Sequence, residues 1–81
     1  MPADAFAIGE DFEVLGSDNR HVGEADGLTD GGLKLARRDS EAGGRHHLIP
    51  LDLIDRVVAD ERKVFLTVDK DEAERRWTAL D

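Results

Sequence analysis

The sequence has no cysteine and no tyrosine, one tryptophan and two prolines. Without cysteine there is no disulfide to staple the fold and no thiolate to hold a metal, so a small core has to rely on packing or oligomerisation. No apolar run is long enough to cross a membrane as a helix, and the opening Met1-Pro2-Ala3-Asp4 has neither the basic region nor the apolar stretch of a signal peptide. The expectation is a cytoplasmic protein that does not engage a membrane. Positive charge is the minority sign: 11 Lys and Arg stand against 19 Asp and Glu, a formal charge of −8. Such a field repels phosphate backbones, which argues against nucleic acid as a partner. The acidic residues are scattered, as on a solvated surface, and do not form a tail.

What is present suffices for one domain. A chain of 81 residues buries only about 60–65% of the surface its unfolded form exposes, so its stability is marginal. Residues 1–10 offer Phe6 and Ile8 and read as a frayed start. Phe12 and Val14 alternate with Glu13 as in a half-buried strand, and Gly16-Ser17-Asp18-Asn19 follows as a turn. Val22, Ala25 and Leu28 are spaced by three, but Gly23 and Gly27 argue for a bulged, curling strand and against a helix. Asp30-Gly31-Gly32 turns the chain into a strand through Leu33 and Leu35, and residues 38–45 read as the most mobile internal loop.

The next strand, His46 to Ile49, places His47 and Ile49 on one face and His46 and Leu48 on the other, and Pro50 ends it. Leu51, Leu53 and Ile54 fit a tight helical turn leading into a strand around residues 56–59. After a turn at Asp60-Glu61-Arg62, Val64, Leu66 and Val68 alternate with Lys63, Phe65 and Thr67. Asp69 and Glu72 stand at capping-box spacing, and Ala73, Trp77 and Leu80 form an apolar stripe predicting a helix from Lys70 to Leu80, with Glu72 and Arg76 as an i,i+4 pair.

The series Val14-Leu15-Gly16-Ser17-Asp18, Val22-Gly23, Leu33-Lys34-Leu35, Ile49-Pro50-Leu51, Val57 and Val64-Phe65-Leu66 resembles the PRC-barrel. That fold is a small β-barrel also seen in the cytoplasmic part of the photosynthetic reaction-centre H subunit and in a ribosome-maturation factor. With His21-Val22-Gly23, His46-His47-Leu48-Ile49-Pro50-Leu51 and Asp55-Arg56-Val57 added, the chain is similar to an uncharacterised bacterial family of short, stand-alone PRC-barrel-like proteins. The resemblance covers roughly Ile8 to Trp77. It implies an adaptor or assembly module and brings no catalytic residues with it. Leu48 departs from the family pattern, which usually has an aromatic residue there, so no role needing a tyrosine hydroxyl carries over.

The expectation is therefore a single all-β domain over residues 1–81: a PRC-barrel-like β-barrel of about six strands in 10–68 and a C-terminal helix in 69–81. A closed barrel of this size fills its interior with side chains, and the two serines, Ser17 and Ser40, both fall in loops, so neither an enzyme nor a cofactor is expected. Leu48 and Phe65 fall outward by alternation and Trp77 anchors the helix stripe, which makes these three the candidate surface for a protein partner or a homo-oligomer. The alternative is a small-ligand or metal-responsive sensor using His21, His46 and His47. Adjacent strand residues point to opposite faces, so His46 and His47 are poorly placed to share one metal.

Overall fold

Simple alternation would build a flat ribbon, and three register shifts bend this one. The computed structural model describes residues 8–9, 11–29, 31–36 and 45–80. Glu13–Leu15 forms β1, and the chain turns back into the nine-residue β2, His21–Thr29. In that turn Asn19 takes φ 64°. A Cβ on Gly16 would come within 2.7 Å of the Lys70 backbone nitrogen, so a side chain there would push away the segment that packs on the turn.

β2 pairs antiparallel with β1 near its start and with β3, Gly32–Leu35, near its end. Each ladder carries one extra residue on β2. Val22 is inserted where Val14 faces Gly23 and Leu15 faces His21, and Asp26 where Leu35 faces Ala25 and Lys34 faces Gly27. Gly27 sits at φ 132°, a conformation that a side chain resists. The bulges let one strand serve both halves of the sheet while curling it.

β4, His47–Ile49, lies antiparallel to β3, with Leu33 opposite Ile49 and Leu35 opposite His47. Pro50 starts a 3-10 turn, Leu51–Leu53, that leads into β5, Ile54–Val58. A second such turn, Ala59–Glu61, is closed by Arg62 at φ 57° and opens β6, Lys63–Leu66. β6 pairs antiparallel with β5 and parallel with β1, setting Val64 beside Val14. The helix α1, Lys70–Arg76, and the short β7, Thr78–Ala79, complete the chain. The result is a seven-stranded sheet in the order β5-β6-β1-β2-β3-β4-β7. Among the described residues β5 and β7 do not pair, so the sheet is open where a barrel would close.

The core lies on the concave face, where Val14, Val22, Leu33, Leu35, Ile49, Val64 and Leu66 are fully buried. Ala73 of α1 is equally buried among them. Ile8 also packs into this cluster and is itself docked, where a frayed start is the expectation; residues 1–7 and 10, Phe6 among them, and the loop at 38–44 lie outside the described residues.

The helix is shorter than its periodicity predicts. Asp69 caps it, accepting from the Glu72 backbone N–H at 2.8 Å, but the Glu72 side chain does not reach back. It bonds Arg75 at 2.6 Å, the i,i+3 neighbour, in place of Arg76, and that hydrogen bond raises the Arg75 pKa above its ordinary value. At Trp77 the backbone turns extended, φ −76° and ψ 160°. Thr78 and Ala79 then pair with Leu48 and His47 of β4, and Leu80, which the stripe would bury, is 49% exposed. The open edge of β4 outcompetes another helical turn because it satisfies the same backbone groups and carries Trp77 onto the sheet.

Candidate functional site

The three histidines go to three separate environments. His21 opens β2 on the convex face, its Nδ1 3.0 Å from Glu13 Oε2, and Lys70 Nζ donates to its backbone carbonyl at 3.0 Å. His46 precedes β4 and its Nδ1 donates to the Leu35 carbonyl at 3.0 Å, with the Asp26 carboxylate 3.8 Å away. His47 points to the core side, is only 6% exposed and stacks on Trp77 with ring centroids 4.0 Å apart and 19° between planes. Among the described residues no three His, Asp or Glu side chains converge as a metal site would require.

Of the apolar trio, Trp77 sits with His47 and packs against the core. Leu48, one residue along from His47, faces the opposite way and lies over the turn at Gly31 and Gly32. Phe65 is in β6, with three strands between it and β4 in the sheet order. The trio is therefore not one patch.

The convex face of β5, β6, β1 and β2 has a regular layout that only the strand register reveals. Partners across a ladder share a face. One row runs Glu24, Glu13, Lys63, Val58 from β2 to β5, and the next runs His21, Leu15, Phe65, Arg56. Leu15 is 7% exposed yet stands apart from the core cluster, because Val14 beside it takes the inward position. Phe65, half-buried next to it, carries the Arg56 guanidinium 4.5 Å above its ring, a cation–π contact. In the charged row Glu13 leans to His21, whereas Lys63 lies 3.9 Å from Glu61. The face thus has an apolar centre, acids toward β2 and bases toward β5.

This layout belongs to the segment through which a known family is recognised. The model of a family described as an uncharacterized protein conserved in bacteria (DUF2171) matches residues 8–74. The chain belongs to that family. The DUF2171 match takes in β1 through β6 and the first five residues of α1. It therefore includes all eight positions of the convex face and His46 and His47, and stops short of Trp77 and β7. No curated protein and no solved structure matches the chain.

Alternation alone places Glu13 and Phe65 outward, but Leu15 and Arg56 are functional candidates it does not single out. Arg56 reaches the face because the β5 ladder shifts register between Ile54 and Arg56, leaving Asp55 and Arg56 both exposed. The parallel neighbourhood of β1 and β6 leaves no local signal in the sequence.

Proposed function

We propose that this DUF2171 chain is a non-catalytic protein-interaction or assembly module with a PRC-barrel-like build. The observation that supports this is the second apolar cluster, Leu15 with Phe65 under Arg56, on the convex side of strands whose concave side already forms the core. Leu15 is already covered by its own chain, at 7% exposure, so what the face offers a partner is the half-buried Phe65 ring with Arg56 above it, and aromatic and Arg side chains are the types enriched at the centres of protein interfaces. The long β2, bent twice and shared between both ends of the sheet, supports the barrel-like description. The dispersal of His21, His46 and His47 supports a role in which they pack and hydrogen-bond.

The test compares the parent chain with Phe65→Ala. Mass by light scattering and recovery of co-purifying protein report association, while a thermal melt on the same samples reports the fold. The parent associates, with itself or with another protein, and Phe65→Ala loses that association while still melting cooperatively. A parent that associates with nothing in either assay overturns the reading.

A further inference from the structure

The charge layout of the convex face fits one occupant, a second copy of the same chain, and this inference rests on the module reading above. We infer that two copies pack these faces together about a two-fold axis that runs parallel to the strands, between β1 and β6. Such an axis exchanges the acidic and basic sides. Glu13 of one copy meets Lys63 of the second copy, and Lys63 meets the second copy's Glu13. In the next row Leu15 meets the second copy's Phe65, and His21, already bonded to Glu13, comes beside Arg56. A two-fold axis across the strands would instead set Glu13 against Glu13 and Lys63 against Lys63 where it crosses their row, or both charges against the apolar Leu15 and Phe65 where it runs between the rows. Charge complementarity therefore selects one arrangement, and it is the isologous kind that homodimers use.

Strand directions agree under this operation, as in aligned sheet packing. The half-buried Phe65, beside the already buried Leu15, falls at the centre, with the Glu13–Lys63 contacts next to it and Glu24 over the second copy's Val58 at the margin, the usual order of an interface from apolar centre to polar rim. The chain's −8 charge acts mostly at long range, where salt screens it beyond about 10 Å, whereas the opposed pairs act at contact.

Glu13 and Lys63 have side chains 39% and 38% exposed, so reversing either charge spares the core. Glu13→Lys makes the central charges all basic, and Lys63→Glu makes them all acidic. Each variant alone is expected to self-associate at least about tenfold more weakly than the parent, because like charges then oppose each other twice across the axis. An equimolar mixture of the two variants restores complementarity across the interface and is expected to form a heterodimer by sedimentation velocity. Within each variant the like charges on β1 and β6 remain, so recovery on mixing cannot come from an intrachain effect.

A parent that stays monomeric near millimolar concentration overturns the second-copy occupant, while recovery of a different protein in the assay above would leave the module reading standing. A parent dimer that both variants keep, or a mixture that stays monomeric, overturns this face as the dimer contact and likewise leaves the module reading intact.

Discussion

At the β6–β1 end of the sheet the outward positions hold Leu15 and Phe65, with Glu13 and Lys63 leaning away from each other toward His21 and Glu61. At the β3–β4 end the outward positions hold Lys34 and Leu48, and the bulged Asp26 places its carboxylate 4.0 Å from Lys34 and 3.8 Å from His46. Both ends bury one face by the same alternation. The β3–β4 end gathers its opposite charges within the chain and lays its one apolar side chain over the glycine turn. The β6–β1 end also gives its charges partners within the chain, His21 for Glu13 and Glu61 for Lys63, but sets Glu13 and Lys63 side by side in one row, next to the buried Leu15 and half-buried Phe65. A surface of the first kind is completed by water, and one of the second kind is complementary to a surface of the same layout.

The sharpest break of this contrast comes from crossing β4. Ile49 is fully buried opposite Leu33, and its neighbour Leu48 is half-buried on the other face. Ile49→Ala should cost about 3–5 kcal/mol as a core cavity, a large part of the stability available to a domain this small. Leu48→Ala should cost about 1 kcal/mol, in line with its partial exposure. Thermal melts of both variants, with Ile49→Val as a milder step of about 1 kcal/mol if the alanine variant does not fold, check the order. Equal losses at Ile49 and Leu48 would mean that the two faces of β4 are not distinct.

Next in size is the C-terminal clasp. Trp77 stacks on His47 and packs on the core, while the Leu80 backbone N–H donates to the His46 carbonyl at 2.9 Å. Trp77→Ala should cost about 2–3 kcal/mol, less than a fully buried aromatic because the indole is partly exposed. It should also speed amide exchange at Leu80 while the amides that pair β1 with β6 keep their protection. Uniform loss of protection would show that β7 is integral to the sheet and not a local clasp.

Much of this β3–β4 end is legible in the sequence. Alternation through His47 and Ile49, the stop at Pro50, the tight turn at Leu51–Leu53 and the cap at Asp69 are local events governed by φ, by side-chain period and by hydrogen bonds within a few residues. The bulges are legible too, since Gly23 and Gly27 mark them, although the extra residues prove to be Val22 and Asp26. What does not read out is long-range. Nothing near Glu13 signals that Lys63 will lie beside it in a parallel ladder, so the convex layout at the β6–β1 end exists only once the register is known. The helix stripe continues through Leu80 in the sequence, yet the chain leaves the helix at Trp77, because the competing partner, the edge of β4, lies about thirty residues earlier in the chain.

Phe65→Ala sharpens the contrast from the other end. Its ring lies between Leu15 and Arg56 and contributes to the convex cluster, not to the core, so its truncation should cost about 1–2 kcal/mol, below the cost at Ile49. A melt at low protein concentration isolates this intrachain term, and the same melt at high concentration adds whatever association contributes. The parent should gain more from concentration than the variant. A loss as large as that of Ile49→Ala at low concentration would return Phe65 to the core and remove the apolar centre from the convex face.

The smallest effect belongs to the charges of the β3–β4 end. The Asp26 side chain is 27% exposed, and its contacts to Lys34 and His46, at 4.0 and 3.8 Å, are at the long end of ion-pair range. Both contacts remain wet, and solvent-exposed pairs contribute little because the ions are nearly as well served by water. Asp26→Asn keeps the shape at the bulge and removes the charge, so stability should change by no more than about 0.5 kcal/mol. The mass in solution should not change, because this end completes its surface within one chain. If Asp26→Asn altered the mass while Glu13→Lys and Lys63→Glu did not, the two ends would exchange roles: the charges around Asp26 would be those that meet another copy, and the Glu13 and Lys63 charges beside Leu15 and Phe65 would be the solvated surface.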